Sequence, residues 1–250
     1  MSAALSFSDH RRDRLGWAYV YSVLSRRAGG ISLGINLNPD RICNWACAYC
    51  QVAREDEPKT PQAVDVERCC GELTQLLEAV ADRSILKWPE HAVDDPAHGR
   101  VVDLSFSGDG EPTTAACFAQ IVDHVLAERQ RLGLTEALPV VVLSNCSMAQ
   151  RPQVHAAVDR LYAANGAVHA KLDAGHQEGY RRVDRTAIPF AKTLANIIAT
   201  AAQGPVVIQS LFCAVDGVFA DEAEITAYAE CLRRIHDEGG PIAAVHVHTV

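Results

Sequence analysis

The chain has 250 residues, of which 48% are hydrophobic and 22% are charged, and its formal net charge is −8 at pH 7. This length matches one α/β barrel domain. The negative charge argues against a broad nucleic-acid-binding face, so we do not expect a nucleic acid as the partner.

Short β-branched runs alternate with longer amphipathic stretches along the chain. The strand-like runs are 31–37, 101–106, 139–143, 168–172, 206–212 and 243–250. The helical patterns are 64–81, 115–132, 148–164, 190–202 and 221–237. This alternation predicts an α/β fold with a parallel sheet and right-handed crossovers. Periodicity alone leaves open whether the six strands curve into a partial barrel or form an open, doubly wound sheet.

No linker rich in proline or glycine divides the chain. We therefore expect one core domain over residues 31–250, with residues 1–30 as an N-terminal extension that packs on it. The polar, proline-containing segment 82–100 reads as a loop insertion.

Three of the nine cysteines, Cys43, Cys47 and Cys50, have the spacing C-x3-C-x2-C. A closed structural zinc site takes four protein ligands, and a [4Fe–4S] cluster usually takes four cysteines. Three thiolates this close therefore predict a cluster with one iron left open to a small molecule. The other six cysteines have no metal-ligand spacing and are typical of buried thiols.

The segment before residue 14 is polar, and no apolar run is long enough to span a membrane. Free thiols in this number are typical of a reducing compartment. We therefore expect a cytoplasmic protein with no membrane partner.

Polar residues follow several predicted strands, at the edge where α/β folds place their sites. Ser144 and Asn145 follow the third strand and could bond the hydroxyls of a ribose, or cap a helix. Lys171 and Asp173 share one face of the fourth strand, as a buried salt bridge or as substrate contacts.

The second strand is followed by residues 108–112, Gly-Asp-Gly-Glu-Pro. Glycines let a ligand approach the main chain, and Glu111 offers a carboxylate to a cation such as an ammonium group. A tight turn is the alternative for this loop taken alone.

Together these motifs resemble the radical S-adenosylmethionine (radical SAM) superfamily. Its hallmark is C-x3-C-x2-C with an aromatic residue before the last cysteine, here Tyr49. Its Gly-Gly-Glu loop matches Gly110 and Glu111, with Asp109 where a glycine is usual.

A narrower resemblance is to small Fe–S oxidoreductases related to the wyosine-forming enzymes. It rests on residues 25–27, 32–36, 50–51, 105–113 and 171–174. The wyosine enzymes themselves carry extra cysteines ahead of the motif, and none precedes Cys43 in this sequence.

The resemblance implies a partial (β/α)6 TIM-type barrel with parallel strands. It also implies a [4Fe–4S] cluster on the three cysteines and S-adenosylmethionine on its open iron. Reductive cleavage would give a 5′-deoxyadenosyl radical that abstracts hydrogen from an unknown substrate. An electron donor such as flavodoxin or ferredoxin would be a partner.

The same resemblance implies roles for the cofactor-binding residues. Gly110 and Glu111 would contact the methionine ammonium group, and Asn145, with Ser144, would contact the ribose. Tyr49 would lie near the adenine.

Two other readings remain open. One is an Fe–S binding or electron-transfer protein without radical chemistry, and the other is a zinc protein that adds a distant histidine. Neither requires the glycine loop or the polar strand ends, which favour the radical SAM reading.

Overall fold

The computed structural model describes Leu5 and residues 16–25, 28–52 and 60–249. Within these residues the strands are β1 (Val20–Ser25), β2 (Gly30–Ile35), β3 (Val101–Phe106), β4 (Val140–Ser144), β5 (Gly166–Lys171), β6 (Val206–Phe212) and β7 (Ile242–Thr249). The α-helices are α1 (Val66–Ala81), α2 (Phe118–Arg131), α3 (Pro152–Ala163), α4 (Gln177–Asp184), α5 (Phe190–Ala201) and α6 (Glu222–Arg234).

The seven strands form one sheet in the order of the chain, from β1 to β7. β1 pairs antiparallel with β2, and every later pair is parallel. A doubly wound sheet would reverse its strand order at a switch point. The unreversed order is instead that of a partial barrel, so the predicted fold class is confirmed, with β2 to β7 as its six parallel strands.

Two elements were not predicted. β1 lies within the predicted N-terminal extension and is an edge strand of the sheet. α4 has only eight residues, most of them polar, so it carries too little hydrophobic periodicity to be recognised. The segment 82–100 contains three short 3₁₀ turns.

One face of the sheet packs on the helices. Phe106 of β3 meets Phe118 of α2 with ring centroids 5.4 Å apart, and both are buried in the main hydrophobic cluster. α1 contributes Leu73, Leu76 and Leu77 to the same cluster at helical spacing. The sheet is therefore held by an apolar layer on its helix side.

The opposite face is polar. Gly34 pairs with Ser105, and Lys171, Gln209 and His246 stand at matching register on β5, β6 and β7. Alternate residues of a strand point to opposite faces, so these residues face away from the helix layer. This is the face on which a pocket can form.

None of the helices in the described residues is long and apolar enough to cross a membrane. Arg26 and Arg27, part of the narrower resemblance, lie outside the described residues.

Candidate functional site

A pocket of about 340 Å³ lies on the polar face of the sheet, within the usual range for small-molecule sites. Its wall combines the cysteine loop after β2 (residues 43–50), the glycine loop after β3 (residues 108–112) and the ends of β4 and β5. The lining residues are Tyr21, Val23, Cys43, Trp45, Cys47, Ser107, Gly108, Gly110, Glu111, Leu143, Asn145 and Lys171.

The cysteine loop presents two of its three thiols to this pocket. Cys43 and Cys47 are half-buried on the pocket wall, whereas Cys50 is exposed. The Cys50 N–H donates to the Cys47 carbonyl over 2.9 Å, which closes a tight turn between them. Among the described residues, no three His, Cys, Asp or Glu side chains are arranged as metal ligands.

Helix α4 anchors the cysteine loop through its main chain. The Ala46 N–H donates to the Asp184 carbonyl (3.2 Å), and the Ala48 N–H donates to the Val183 carbonyl (2.7 Å). Trp45, which is 4% exposed, packs edge-on against Tyr180 of the helix with ring centroids 5.3 Å apart. A helix that the sequence did not reveal therefore sets the position of the loop.

The Cys47 thiol donates to Oδ1 of Asp184 across 3.7 Å. Burial, and then the negative charge of Asp184, raise the pKa of the Cys47 thiol. Burial, and then the charge of Asp173, raise the pKa of Asp184 in turn. The thiol is thus protonated at neutral pH, and a bound metal would displace its proton.

Tyr49 and Lys171 meet at the carboxylate of Asp173. The Tyr49 hydroxyl donates to Oδ2 of Asp173, and the Lys171 ammonium lies 3.2 Å from the same oxygen. Burial alone would lower the pKa of Lys171, but the charges of Asp173, Cys47 and Asp184 and the hydrogen bond to Asp173 together outweigh it, and the pKa is raised. Of the two alternatives that the sequence left open for Lys171 and Asp173, the structure has the salt bridge.

Glu111 is buried and binds the loop after β4. Its Oε1 accepts from the Thr113 hydroxyl and, over 2.8 Å, from the Ser144 hydroxyl. Its Oε2 accepts from the Asn145 N–H over 2.7 Å. Burial raises the pKa of Glu111 even though these hydrogen bonds favour its charged form.

The two glycines of the loop are needed for close packing. Gly108 has φ +148°, a conformation that side chains rarely allow. A Cβ on Gly110 would lie 2.3 Å from the Ile42 carbonyl oxygen, at the base of the cysteine loop. The glycine loop and the cysteine loop can therefore touch only because residue 110 has no side chain.

The pocket unites Cys43, Cys47, Gly110, Glu111 and Asn145 from the predicted site. The remaining three predicted residues, Tyr49, Cys50 and Ser144, are not among its lining residues. Ser144 is buried behind the wall, where its hydroxyl also accepts from the Cys146 N–H (2.9 Å).

The chemistry of these side chains fits an iron–sulfur cluster. The donor set is three thiols on one loop, as the spacing predicts. The Trp45 Nε1–H is buried on the pocket wall and has no hydrogen-bond partner among the described residues. An indole N–H can only donate, and cluster sulfurs are acceptors of such bonds.

Two solved structures superpose on this chain and have the same architecture. A radical SAM methyltransferase from Sphaerobacter thermophilus superposes with a TM-score of 0.54 at 13% identity, over 92% of this chain and 58% of that chain. The structure of anSMEcpe with bound AdoMet superposes with a TM-score of 0.51 at 13% identity, over 87% of this chain and 49% of that one. The chain has the radical SAM fold.

Sequence comparison adds two distant relatives, while no protein-family model matches the chain. The GTPase Obg of Brachyspira hyodysenteriae is 26% identical over 181 residues, 70% of this chain and 22% of that protein. UPF0026 protein MJ1312 of Methanocaldococcus jannaschii is 28% identical over 163 residues, 65% of this chain and 42% of that protein. The chain thus spans less than half the length of either relative.

Proposed function

We propose that the chain is a radical SAM enzyme of the small Fe–S oxidoreductase type. One observation carries the proposal: Cys43 and Cys47 share a pocket with Gly110 and Glu111, in a chain with the radical SAM fold. Residues 63 or more positions apart in sequence thus line one small-molecule cavity.

In this proposal Cys43, Cys47 and Cys50 hold a [4Fe–4S] cluster. When bound, the cluster supplies one electron for cleavage of S-adenosylmethionine to methionine and a 5′-deoxyadenosyl radical, which abstracts hydrogen from the substrate. The protein residues bind and orient the cofactor and exclude water from the pocket.

Glu111 and Asn145 retain hydrogen-bonding capacity for S-adenosylmethionine. Oε2 of Glu111 accepts one bond, from the Asn145 N–H, and keeps a lone pair for the methionine ammonium group. Oδ1 of Asn145 accepts one bond, from the Ser147 N–H (3.0 Å), and keeps a lone pair for a ribose hydroxyl. Ser144 and Tyr49 act indirectly: the Ser144 hydroxyl donates to Glu111, and the Tyr49 hydroxyl donates to Asp173.

Lys171 is the lining residue suited to orienting a substrate. Its side chain is 25% exposed and it is held as a cation by Asp173. We propose a low-potential protein such as flavodoxin or ferredoxin as the electron donor. A cytoplasmic location is supported by the nine cysteines, all of them described and none in a disulfide.

The test is product analysis by mass spectrometry. The protein is reconstituted anaerobically with iron and sulfide and incubated with dithionite and S-adenosylmethionine. We expect 5′-deoxyadenosine and methionine from the wild type and from Cys231→Ala, whose cysteine is a buried residue of α6, but neither product from Cys47→Ala. A fully loaded cluster without cleavage would instead indicate an Fe–S binding or electron-transfer protein.

A further inference from the structure

Asn44, between Cys43 and Trp45, bonds the cysteine loop to the loop after β4. Its Nδ2 donates to the Ser147 hydroxyl (2.6 Å), and its Oδ1 accepts from Nδ2 of Asn145 (2.8 Å). Its partners are 103 and 101 residues away in sequence. Both polar groups of one side chain are therefore used to hold two distant loops together.

The orientation of the two amides follows from the network. The Ser147 N–H can only donate, so the atom of Asn145 that it meets at 3.0 Å is Oδ1. This leaves Nδ2 of Asn145 as a donor to Asn44, which must turn Oδ1 toward it and Nδ2 toward the Ser147 hydroxyl. The bonding pattern is thus fixed from the backbone outward.

The main chain of Asn44 is bonded on the other side. Its carbonyl accepts from the Thr186 hydroxyl, which follows α4, over 3.0 Å. Asn44 therefore joins the cysteine loop both to the loop after β4 and to the segment that follows α4.

The network continues to Glu111, another lining residue of the pocket. Asn145, the partner of Asn44, donates its main-chain N–H to Glu111 over 2.7 Å. The path Asn44–Asn145–Glu111 thus connects the thiol-bearing loop with the buried carboxylate through two hydrogen bonds. Neither bond involves a cysteine.

We propose that Asn44 is a positioning residue that sets the distance and orientation of the cysteine loop relative to the Glu111 wall. The inference rests on the proposed function in one respect only, namely that this positioning presents Cys43 and Cys47 to the cofactor. Asn44 acts through Ser147 and Asn145 and is not among the residues that line the pocket.

Alkylation of the metal-free protein by iodoacetamide, resolved by peptide mass spectrometry, tests the inference. Loss of two hydrogen bonds in Asn44→Ala should open the loop and raise the alkylation rates of Cys43 and Cys47 about 10-fold or more. Ser147→Ala removes one bond and should raise them about 5-fold.

The chain carries its own controls. Cys50 is already exposed, so its rate should not change. Cys69 and Cys231 are buried and should react only when the whole domain unfolds. Asn44→Asp should not raise the rates above those of the wild type, because the Ser147 hydroxyl can reverse its role and donate to the new carboxylate, which keeps both hydrogen bonds.

Two results would overturn the inference: unchanged rates at Cys43 and Cys47 in Asn44→Ala, or rates that rise there together with those of Cys69 and Cys231. A rise in Asn44→Ala that Ser147→Ala does not share would also count against it. The readout does not depend on a cluster. A wild type that fails to cleave S-adenosylmethionine therefore leaves the positioning result standing and removes only its purpose.

Discussion

Lys171 lies over the ring of Tyr49, with its ammonium nitrogen 4.8 Å from the ring centroid. Tyr49 belongs to the cysteine motif and Lys171 ends β5, so this cation–π contact joins the motif to the sheet. Such a contact contributes about 0.5–2 kcal/mol. Both side chains also bind Asp173, so the Lys171 cation contacts the Tyr49 ring and the Asp173 carboxylate at the same time.

We predict that Lys171→Met destabilises the protein by about 2–4 kcal/mol, because it leaves the Asp173 carboxylate buried without its cation. The Asp173 side chain is 0% exposed, so water cannot replace the lost partner. Urea unfolding measures the change. Lys192→Met on the exposed face of α5 is the matched control and should stay within about 0.5 kcal/mol of the wild type.

Tyr49→Phe separates the two contributions. It keeps the ring beneath Lys171 and removes only the hydroxyl that donates to Asp173. We expect a smaller loss than in Lys171→Met, about 1–2 kcal/mol, since one hydrogen bond to a charged group disappears. An equal or greater loss would show that the salt bridge adds little beyond the hydroxyl bond.

Gly110→Ala should force apart the two loops that form the pocket. The added Cβ would meet the Ile42 carbonyl oxygen at 2.3 Å, and backbone atoms cannot yield cheaply. We expect a loss of about 1–3 kcal/mol in unfolding free energy and weaker binding of S-adenosylmethionine by calorimetry.

The matched glycine is Gly71, in the middle of α1, where a Cβ meets nothing within 4 Å. Gly71→Ala should stabilise the protein by about 0.5–1 kcal/mol, because alanine loses less backbone freedom in a helix. Opposite signs from the same substitution at the two positions would establish the close approach. If Gly110→Ala also stabilised the protein, the contact with Ile42 would not constrain the loops.

The raised pKa of Glu111 gives a pH dependence with a defined sign. A buried carboxyl with a raised pKa binds its proton more readily in the folded state than in the unfolded state, so raising the pH removes stability. The free energy of unfolding of the wild type should therefore fall, relative to that of Glu111→Gln, as the pH rises from about 4.5 through the raised pKa, and then level off.

Urea unfolding of both proteins across the acidic and neutral range measures this difference, and the subtraction cancels the other carboxyl groups. A difference that grows in favour of the wild type as the pH rises would mean that the bonds from Thr113, Ser144 and Asn145 outweigh burial. Glu111 would then have a lowered pKa.

The sheet could be predicted from sequence because its six parallel strands are short β-branched runs that alternate with amphipathic helices. β1 lies in the predicted N-terminal extension, although its residues Val20, Tyr21 and Val23 have β propensity. Its place at the sheet edge depends on pairing with Gly30–Ile35, a tertiary contact. Strand order then decided the question that periodicity had left open.

Much of the candidate site could also be predicted, since the cysteines, Glu111 and Asn145 follow strands whose ends meet at one edge. Asn44, Trp45 and Asp184 have supporting positions that the motif spacing does not indicate. Asn44 reads as a spacer between ligands, and its partners lie more than a hundred residues away. Long-range hydrogen bonds of this kind leave no periodic signal in a sequence.

The anchoring of the cysteine loop on α4 also sets which substitutions the motif tolerates. The loop is held there by the N–H groups of Ala46 and Ala48, two positions between the cysteines. The side chain at position 46 is exposed, so we expect substitutions that keep the N–H to be tolerated there. Proline has no N–H and would remove this hydrogen bond, so we expect neither position to tolerate it.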